Sequence, residues 1–277
     1  LLCHLIHNLK CLVKAVMRVM LSPSKSHPQV LEMRVYLPCP WTHSTKIHLI
    51  KLSEKTLKFR VVSYNVLAQY LLVSHPHLYT DCDPHNLKWP VRAAKIFEEI
   101  IHLAPDILCL QEVQASHLNC YCTQFERMGY DGLFKQKRQR DDGCAIFIKK
   151  SLFEIQDQNT VEYYQPDMPL LNRDNVALMV KLTPRGSKGT PVVVATTHLL
   201  YNPKRTDVRL AQIERVALIV DQSRVFFGVL SSSPWLRRPR RLPLSGPFTH
   251  DVFVNIFYTA LEHIERSSGR HRATSCV

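Results

Sequence analysis

The stretch "DILCLQEVQ" at residues 106–114 carries a carboxylate where burial would be expected. Ile107, Leu108, Cys109 and Leu110 form a nearly continuous apolar block, the pattern of a strand covered on both faces or of a short buried helical segment. Glu112 follows that block by two residues. An ionised carboxylate beside a core is costly unless a cation, a donor network or solvent compensates it. Glu112 therefore either reaches water from the strand terminus or belongs to a site. Two other polar residues follow apolar runs in the same way: Asn65 in "VSYNVLAQ" and His198 in "ATTHLLYNP". Taken singly, Asn65 is an ordinary turn former and His198 an ordinary satisfied or solvated histidine. Together, an amide, a carboxylate and an imidazole delivered from three strand ends can converge at one sheet edge, where ligand sites commonly lie.

The elements that would position them can be read from periodicity. "KIHLIKL" and "LKFRVVSYNVLAQ" are predicted strands joined by the polar "SEKT". "WPVRAAKIFEEIIHLA" at 89–104 places Val91, Ala94, Phe97, Ile100 and Ile101 at helical spacing and is ended by Pro105. "GCAIFIKK", "NVALMVKL" and "PVVVATTHLLY" have the β-branched and apolar content of strands. "TDVRLAQIERVALIVDQ" reads as an amphipathic helix through Val208, Ala211, Ile213, Val216 and Val220, capped by Thr206 or Asp207. Strands outnumber helices and helices fall between groups of strands. The predicted fold is α/β: a two-layer β-sandwich flanked by helices.

With 277 residues, 45% of them hydrophobic, the chain can build one large core or two small ones. Lys and Arg number 36 against 23 Asp and Glu, a formal charge of +13 that favours polyanionic partners such as RNA, DNA or an acidic lipid surface. The nine cysteines show no repeated CxxC spacing, so neither a zinc site nor a disulfide framework is suggested. Cys109 and Cys144 sit inside apolar runs, as small reduced core residues of a reducing compartment do. The chain starts at Leu1 rather than Met, which suggests a fragment or a processed product. Residues 1–21 contain no acid, and Lys10, Lys14 and Arg18 recur every fourth residue. That spacing predicts a basic amphipathic helix, either a mitochondrial presequence, a membrane-surface element or an ordinary terminal helix. No apolar run approaches the roughly 18 residues of a spanning helix. Residues 22–45 read as a Pro- and Ser-rich linker, 46–222 as the folded domain, 223–250 as an irregular basic segment, and 251–277, with "VFVNIFYTALEHIE", as a resumption of structure.

The order "YNVLAQ", "PDILCLQEVQ", "GYDGLFKQK", "DGCAIFIKK", "LLNRDNVAL", "THLLYNPKRTDVRLAQ" resembles the endonuclease/exonuclease/phosphatase superfamily, DNase I-like in fold. It is most similar to the Angel proteins, relatives of nocturnin and of the cytoplasmic poly(A) deadenylases, over roughly residues 57–222. The resemblance implies that Glu112 ligates Mg²⁺, a hard cation that prefers carboxylate oxygens. It implies that Asn65 supports that shell and that His198 donates to the scissile phosphate. Lys137 in "FKQK" matches a phosphate-contacting lysine, or is a solvated member of the basic run "KQKRQR". Pro203 matches a proline that packs on a base, or is a turn proline. Asn175 belongs to the family pattern either as a substrate contact or as a buttress of the neighbouring strand. The implied partners are RNA 3′ ends, poly(A) among them, and proteins of translation or mRNA decay; the implied compartment is the cytoplasm.

The chain also departs from the pattern. Family members carry "GDFNS" soon after the helix that ends here near Gln222, and "SDH" towards the C-terminus. The nearest counterpart of the first is "GVLSS" at 228–232, with Val229 and Ser231 where an aspartate and an asparagine would stand. His263 and His271 lack the preceding "SD". "VNIFYTA" is similar to a family strand that has lost its aspartate, so the tail reads as derived from the same domain by deletion, splicing or divergence. Two functions stay open: a Mg²⁺-dependent phosphodiesterase acting on RNA 3′ ends, as a 3′ exonuclease or on 3′ phosphates, and a non-catalytic relative that binds RNA or protein.

Overall fold

The structure, a computed structural model, describes residues 14–21, 30–36, 45–48, 57–186, 191–202, 204–221 and 226–231. Their strands are β1 (Lys14–Leu21), β2 (Val30–Tyr36), β3 (Thr45–His48), β4 (Leu57–Asn65), β5 (Ile107–Gln114), β6 (Tyr130–Gln136), β7 (Asp142–Lys149), β8 (Phe153–Glu162), β9 (Val176–Pro184), β10 (Val192–Thr197) and β11 (Phe226–Ser231). Helices α1 (Gln69–Ser74), α2 (Trp89–Leu103), α3 (Leu118–Arg127) and α4 (Thr206–Asp221) lie between them. Seven strands form one sheet in the order β3-β2-β1-β4-β5-β7-β6, and four form a second in the order β11-β10-β9-β8. The β4–β5 and β10–β11 pairs are parallel, each joined by a segment that contains a helix, α2 or α4. None of the described helices is long and apolar enough to cross a membrane.

Alternation along β5 explains its unbroken apolar run. Leu108 and Leu110 join Val62, Tyr64, Ile96, Ile100, Tyr121, Phe125 and Phe147 in a core between the first sheet and helices α2 and α3. Cys109 and Gln111 alternate with them, and Gln111 donates from Nε2 to Thr196 Oγ1 on β10 of the other sheet at 2.9 Å. Both faces are thus covered, so period-2 patterning gives way to continuous hydrophobicity. In the second sheet Val193 and Ala195 pack with Val161, Tyr163, Met179 and Val216 beneath α4. Phe59 meets Phe153 edge-on at 5.4 Å between the sheets.

The α/β sandwich agrees with the predicted fold, and several details differ. The face of α2 that is buried runs through Arg92, Ala93, Ile96 and Ile100, while Ala94 and Ile101 are exposed. A buried arginine had displaced the apolar count by a fraction of a turn. The helix ends at Leu103 through Ala104, whose φ of 43° lets its N–H reach Ile100 O at 3.0 Å before Pro105. Lys14–Leu21, predicted to be helical, is a strand paired with both β2 and β4. A spacing of four is even, so it marks one face of a strand as readily as one face of a helix. Val30–Tyr36, predicted to lie in a linker, is β2, and Phe226–Ser231, predicted to be irregular, is β11. Residues 1–13 and 251–277 lie outside the described residues.

Cys109 and Cys144 are fully buried, and burial pushes the Cys144 thiol up to about 12, with the Cys109 thiol moved the same way. Cys120 is exposed. Alkylation of the native chain at mildly alkaline pH is therefore expected to modify Cys120 and to spare Cys109 and Cys144, because only the thiolate reacts. Peptide mapping by mass spectrometry reads this directly; prompt labelling of Cys144 would contradict the burial described.

Candidate functional site

Glu112 leaves the ladder before it reaches the solvent. β5 pairs Gln111 with Cys144 and Val113 with Gly143, so Glu112 is an unpaired bulge residue. Its φ is 59°, in the left-handed region that a side chain other than glycine enters at a cost of about 1–2 kcal/mol. Without the bulge, alternation would send Glu112 the way of Leu108 and Leu110, into the helix-covered core. With it, the carboxylate turns to the sheet edge and is still only 8% exposed.

The chain leaving β4 meets it there. Asn65 donates from Nδ2 to Glu112 Oε1 at 2.7 Å and accepts from Leu67 N at 2.9 Å, so one side chain ties the carboxylate to its own turn. Leu67 is also left-handed, with φ 54°. Ala68 N points at Glu112 Oε2 from 3.4 Å, a long contact. Arg92, reaching from α2, holds this turn in place: it donates to Val66 O at 2.7 Å, Leu67 O at 2.6 Å and Gln69 Oε1 at 2.7 Å. Nothing in the apolar periodicity of α2 marked Arg92; the one signal was a charge on the face that had to be buried.

His198, the residue after β10, brings the second sheet to the site. Its Nε2 lies 3.6 Å from Glu112 Oε1, beyond a normal hydrogen bond, and its Nδ1 is buried with no hydrogen-bond partner among the described residues. Burial pulls the imidazole below its ordinary pKa and so favours the uncharged ring, and the nearby Glu112 charge opposes this only in part. Its backbone is fixed by Asn175, which donates to His198 O at 2.7 Å. Gln212 on α4 donates to Asn175 Oδ1 at 3.1 Å and accepts from Leu200 N at 3.1 Å. Asn175 is thus a buttress of the His198 loop here, and Gln212 is a further polar member that the sequence reading of α4 missed.

Lys137 is 6% exposed and its ammonium is paired at 2.5 Å with Asp142, which has no exposure. Tyr70 O–H donates to the other oxygen of Asp142 at 2.5 Å, and burial with that carboxylate pushes the phenol pKa up. The β6–β7 hairpin closes tightly enough for this because residue 143 is glycine: a Cβ there would stand 2.1 Å from Lys135 O. Lys137 is therefore no solvated member of the basic run. Pro203 lies outside the described residues.

Asn65, Glu112 and His198 thus come together, Asn175 stands behind them, and Lys137 is held by Asp142. Among the described residues, no Lys or Arg forms an ion pair with Glu112 and no group of three or more His, Cys, Asp or Glu could hold a metal ion. The donor chemistry nevertheless fits Mg²⁺. A carboxylate offers about four acceptor positions, Glu112 accepts two hydrogen bonds among the described residues, and Mg²⁺ is commonly held by one or two carboxylates with waters and substrate phosphates completing its shell.

The sequence profile described as "Endonuclease/Exonuclease/phosphatase family" matches residues 62–247. Protein angel homolog 2 of Bos taurus is 45% identical over 168 residues, covering 58% of this chain and 30% of its own length. Protein angel of Drosophila melanogaster is 45% identical over 169 residues, covering 58% of this chain and 48% of its own length. The chain thus spans from about a third to a half of these relatives. Among solved structures, ANGEL2, described as a 2′,3′-cyclic phosphatase and crystallised with adenosine-2′,3′-vanadate, aligns with a TM-score of 0.58 at 38% identity, over 62% of this chain and 52% of that one. The human Nocturnin catalytic domain with bound sulfate aligns with a TM-score of 0.50 at 25% identity, over 62% of this chain and 63% of that one.

Proposed function

Because the chain belongs to the endonuclease/exonuclease/phosphatase family, we propose that its strand-end site performs metal-assisted phosphoester hydrolysis at RNA 3′ ends, with a terminal cyclic phosphate as the preferred bond. The observation that carries this reading is the Glu112 carboxylate: nearly buried, turned outward by a left-handed bulge, and without a cationic partner among the described residues. Backbone strain and a nearly buried carboxylate without a direct ion pair to Lys or Arg occur together where a ligand relieves both. Glu112 holds the ion in this scheme and Asn65 keeps its carboxylate oriented. When bound there, Mg²⁺ polarises the phosphoryl oxygens and offsets their charge. His198, fixed through Asn175, donates a ring N–H to a non-bridging oxygen as negative charge develops. Water oxygen bonds to phosphorus, one ribose oxygen departs, and the proton released by water ends on that oxygen.

A cyclic phosphate asks least of such a site, since its ring is strained and its leaving group stays tethered. That matters because Val229 and Ser231 occupy β11, in register with Ala195 and Thr197, where the family pattern calls for an aspartate and an asparagine. The same observation favours a second reading, an RNA-binding relative without turnover.

Incubation with Mg²⁺ and RNA bearing a 2′,3′-cyclic phosphate is expected to open the ring slowly, and incubation with polyadenylated RNA to release little or no mononucleotide. Positioned base catalysis is worth about 10²- to 10⁴-fold, and its loss sets the scale of the deficit. Vigorous mononucleotide release would overturn the cyclic-end preference. No ring opening above a Glu112→Ala control would favour the non-catalytic reading.

A further inference from the structure

Beyond the reacting phosphate, the tip of the β6–β7 hairpin carries features that the site itself does not use. Arg138 and Gln139 donate backbone N–H groups to the two oxygens of Asp174, both at 2.9 Å, which docks the tip onto the loop before β9. The Arg138 guanidinium lies 5.1 Å from the ring centroid of Tyr164, which remains 40% exposed. Met168 and Leu170 on the same loop are 48% and 41% exposed. Arg140, also exposed, carries a charge felt at both Tyr70 and His198. Neither Arg138 nor Arg140 forms an ion pair among the described residues, and Asp174 is occupied with backbone amides.

Rim and site share two anchors. Arg138 directly follows Lys137, and Asp174 directly precedes Asn175, which fixes His198. An aromatic face overlaid by a guanidinium suits an unpaired base, and exposed arginines at the same hairpin tip, Arg140 reaching towards Tyr70, suit the connecting phosphates. We propose that Arg138, Arg140 and Tyr164 form a platform for the single-stranded RNA adjoining the processed 3′ end, so that the substrate is an oligonucleotide rather than a mononucleotide. The proposal rests on the function proposed above for its register with the reacting end.

The test is fluorescence anisotropy of the full chain with a dye-labelled single-stranded oligoadenylate across a salt series. The single strand is expected to bind more tightly than the same sequence in a duplex. Tyr164→Ala should weaken it about tenfold and Tyr164→Phe should not, because stacking on one base is worth about 1–3 kcal/mol. Arg138→Gln with Arg140→Gln should flatten the dependence of log K on log salt by about one to two. Tyr164→Ala binding as tightly as the parent, a duplex preferred over the single strand, or an acidic peptide competing equally would each overturn the platform. Calorimetric titration with Mg²⁺ separates the two readings: loss of oligonucleotide binding in Tyr164→Ala with Mg²⁺ binding intact bears on the platform, whereas a parent chain that binds the oligonucleotide but not Mg²⁺ bears on the hydrolytic site alone.

Discussion

Glu112→Gly is expected to raise the unfolding temperature of the metal-free chain while lowering its Mg²⁺ affinity by more than about 100-fold. Both effects come from one residue. At φ 59° the glutamate backbone is strained by about 1–2 kcal/mol, and glycine adopts that conformation freely. Glycine also removes a nearly buried charge that lacks a cationic partner among the described residues. Against this, Asn65 Nδ2 loses an acceptor, about 1 kcal/mol at an edge that water can enter. A net gain of about 1 kcal/mol remains, equivalent to roughly 2–4 °C for a domain of this size. Losing even an outer-shell group costs about 10- to 100-fold in metal affinity, so losing the carboxylate costs more. Glu112→Ala separates the terms, because it removes the charge and keeps the strain. Thermal unfolding and calorimetric titration measure the pair; a destabilised Glu112→Gly chain with unchanged Mg²⁺ affinity would remove the basis for a ligand site here.

The other large effect is expected at Arg92, which touches no substrate. Its guanidinium satisfies two buried carbonyls and one amide oxygen in the turn that presents Asn65. Hydrogen bonds made by charged donors contribute about 1.5–3 kcal/mol each, and orphaned buried carbonyls add a penalty. Arg92→Ala should therefore cost at least about 3 kcal/mol in denaturant unfolding. Arg92→Lys should recover less than half, since an ammonium cannot match the planar fork. Because the turn also aims Ala68 N at Glu112, Mg²⁺ affinity should fall by about 10- to 100-fold in the same variants, as for a lost outer-shell group. A stability loss below 1 kcal/mol would show that the turn holds itself.

The sequence made these elements legible where burial on both faces or a clear period left its mark, as in β5, β7, β9, β10, α2 and α4. It was silent where the decisive fact is a departure from the period. Neither glycine nor asparagine signals the left-handed bulge at Glu112, so nothing in "LQEVQ" distinguishes a residue turned out of the ladder from one that continues it. β1 was ambiguous because Lys14 and Arg18 share a face in either conformation. β11 was hidden by the Arg-, Pro- and Ser-rich residues around a short apolar run. Arg92, Asp142 and Gln212 are polar residues inside buried patterns. Such residues obscure an element when read locally, and they gain meaning from partners 20 or more residues away.

Asn65 and Glu112 belong to one sheet and His198 directly follows a strand of the other, with the Gln111–Thr196 hydrogen bond spanning the layers just behind them. Anything that grips Glu112 and His198 at once therefore works as a clasp on the open edge of a book. Its occupancy should be felt along the whole spine, as slower breathing of the two leaves and slower cleavage by proteases that need them parted.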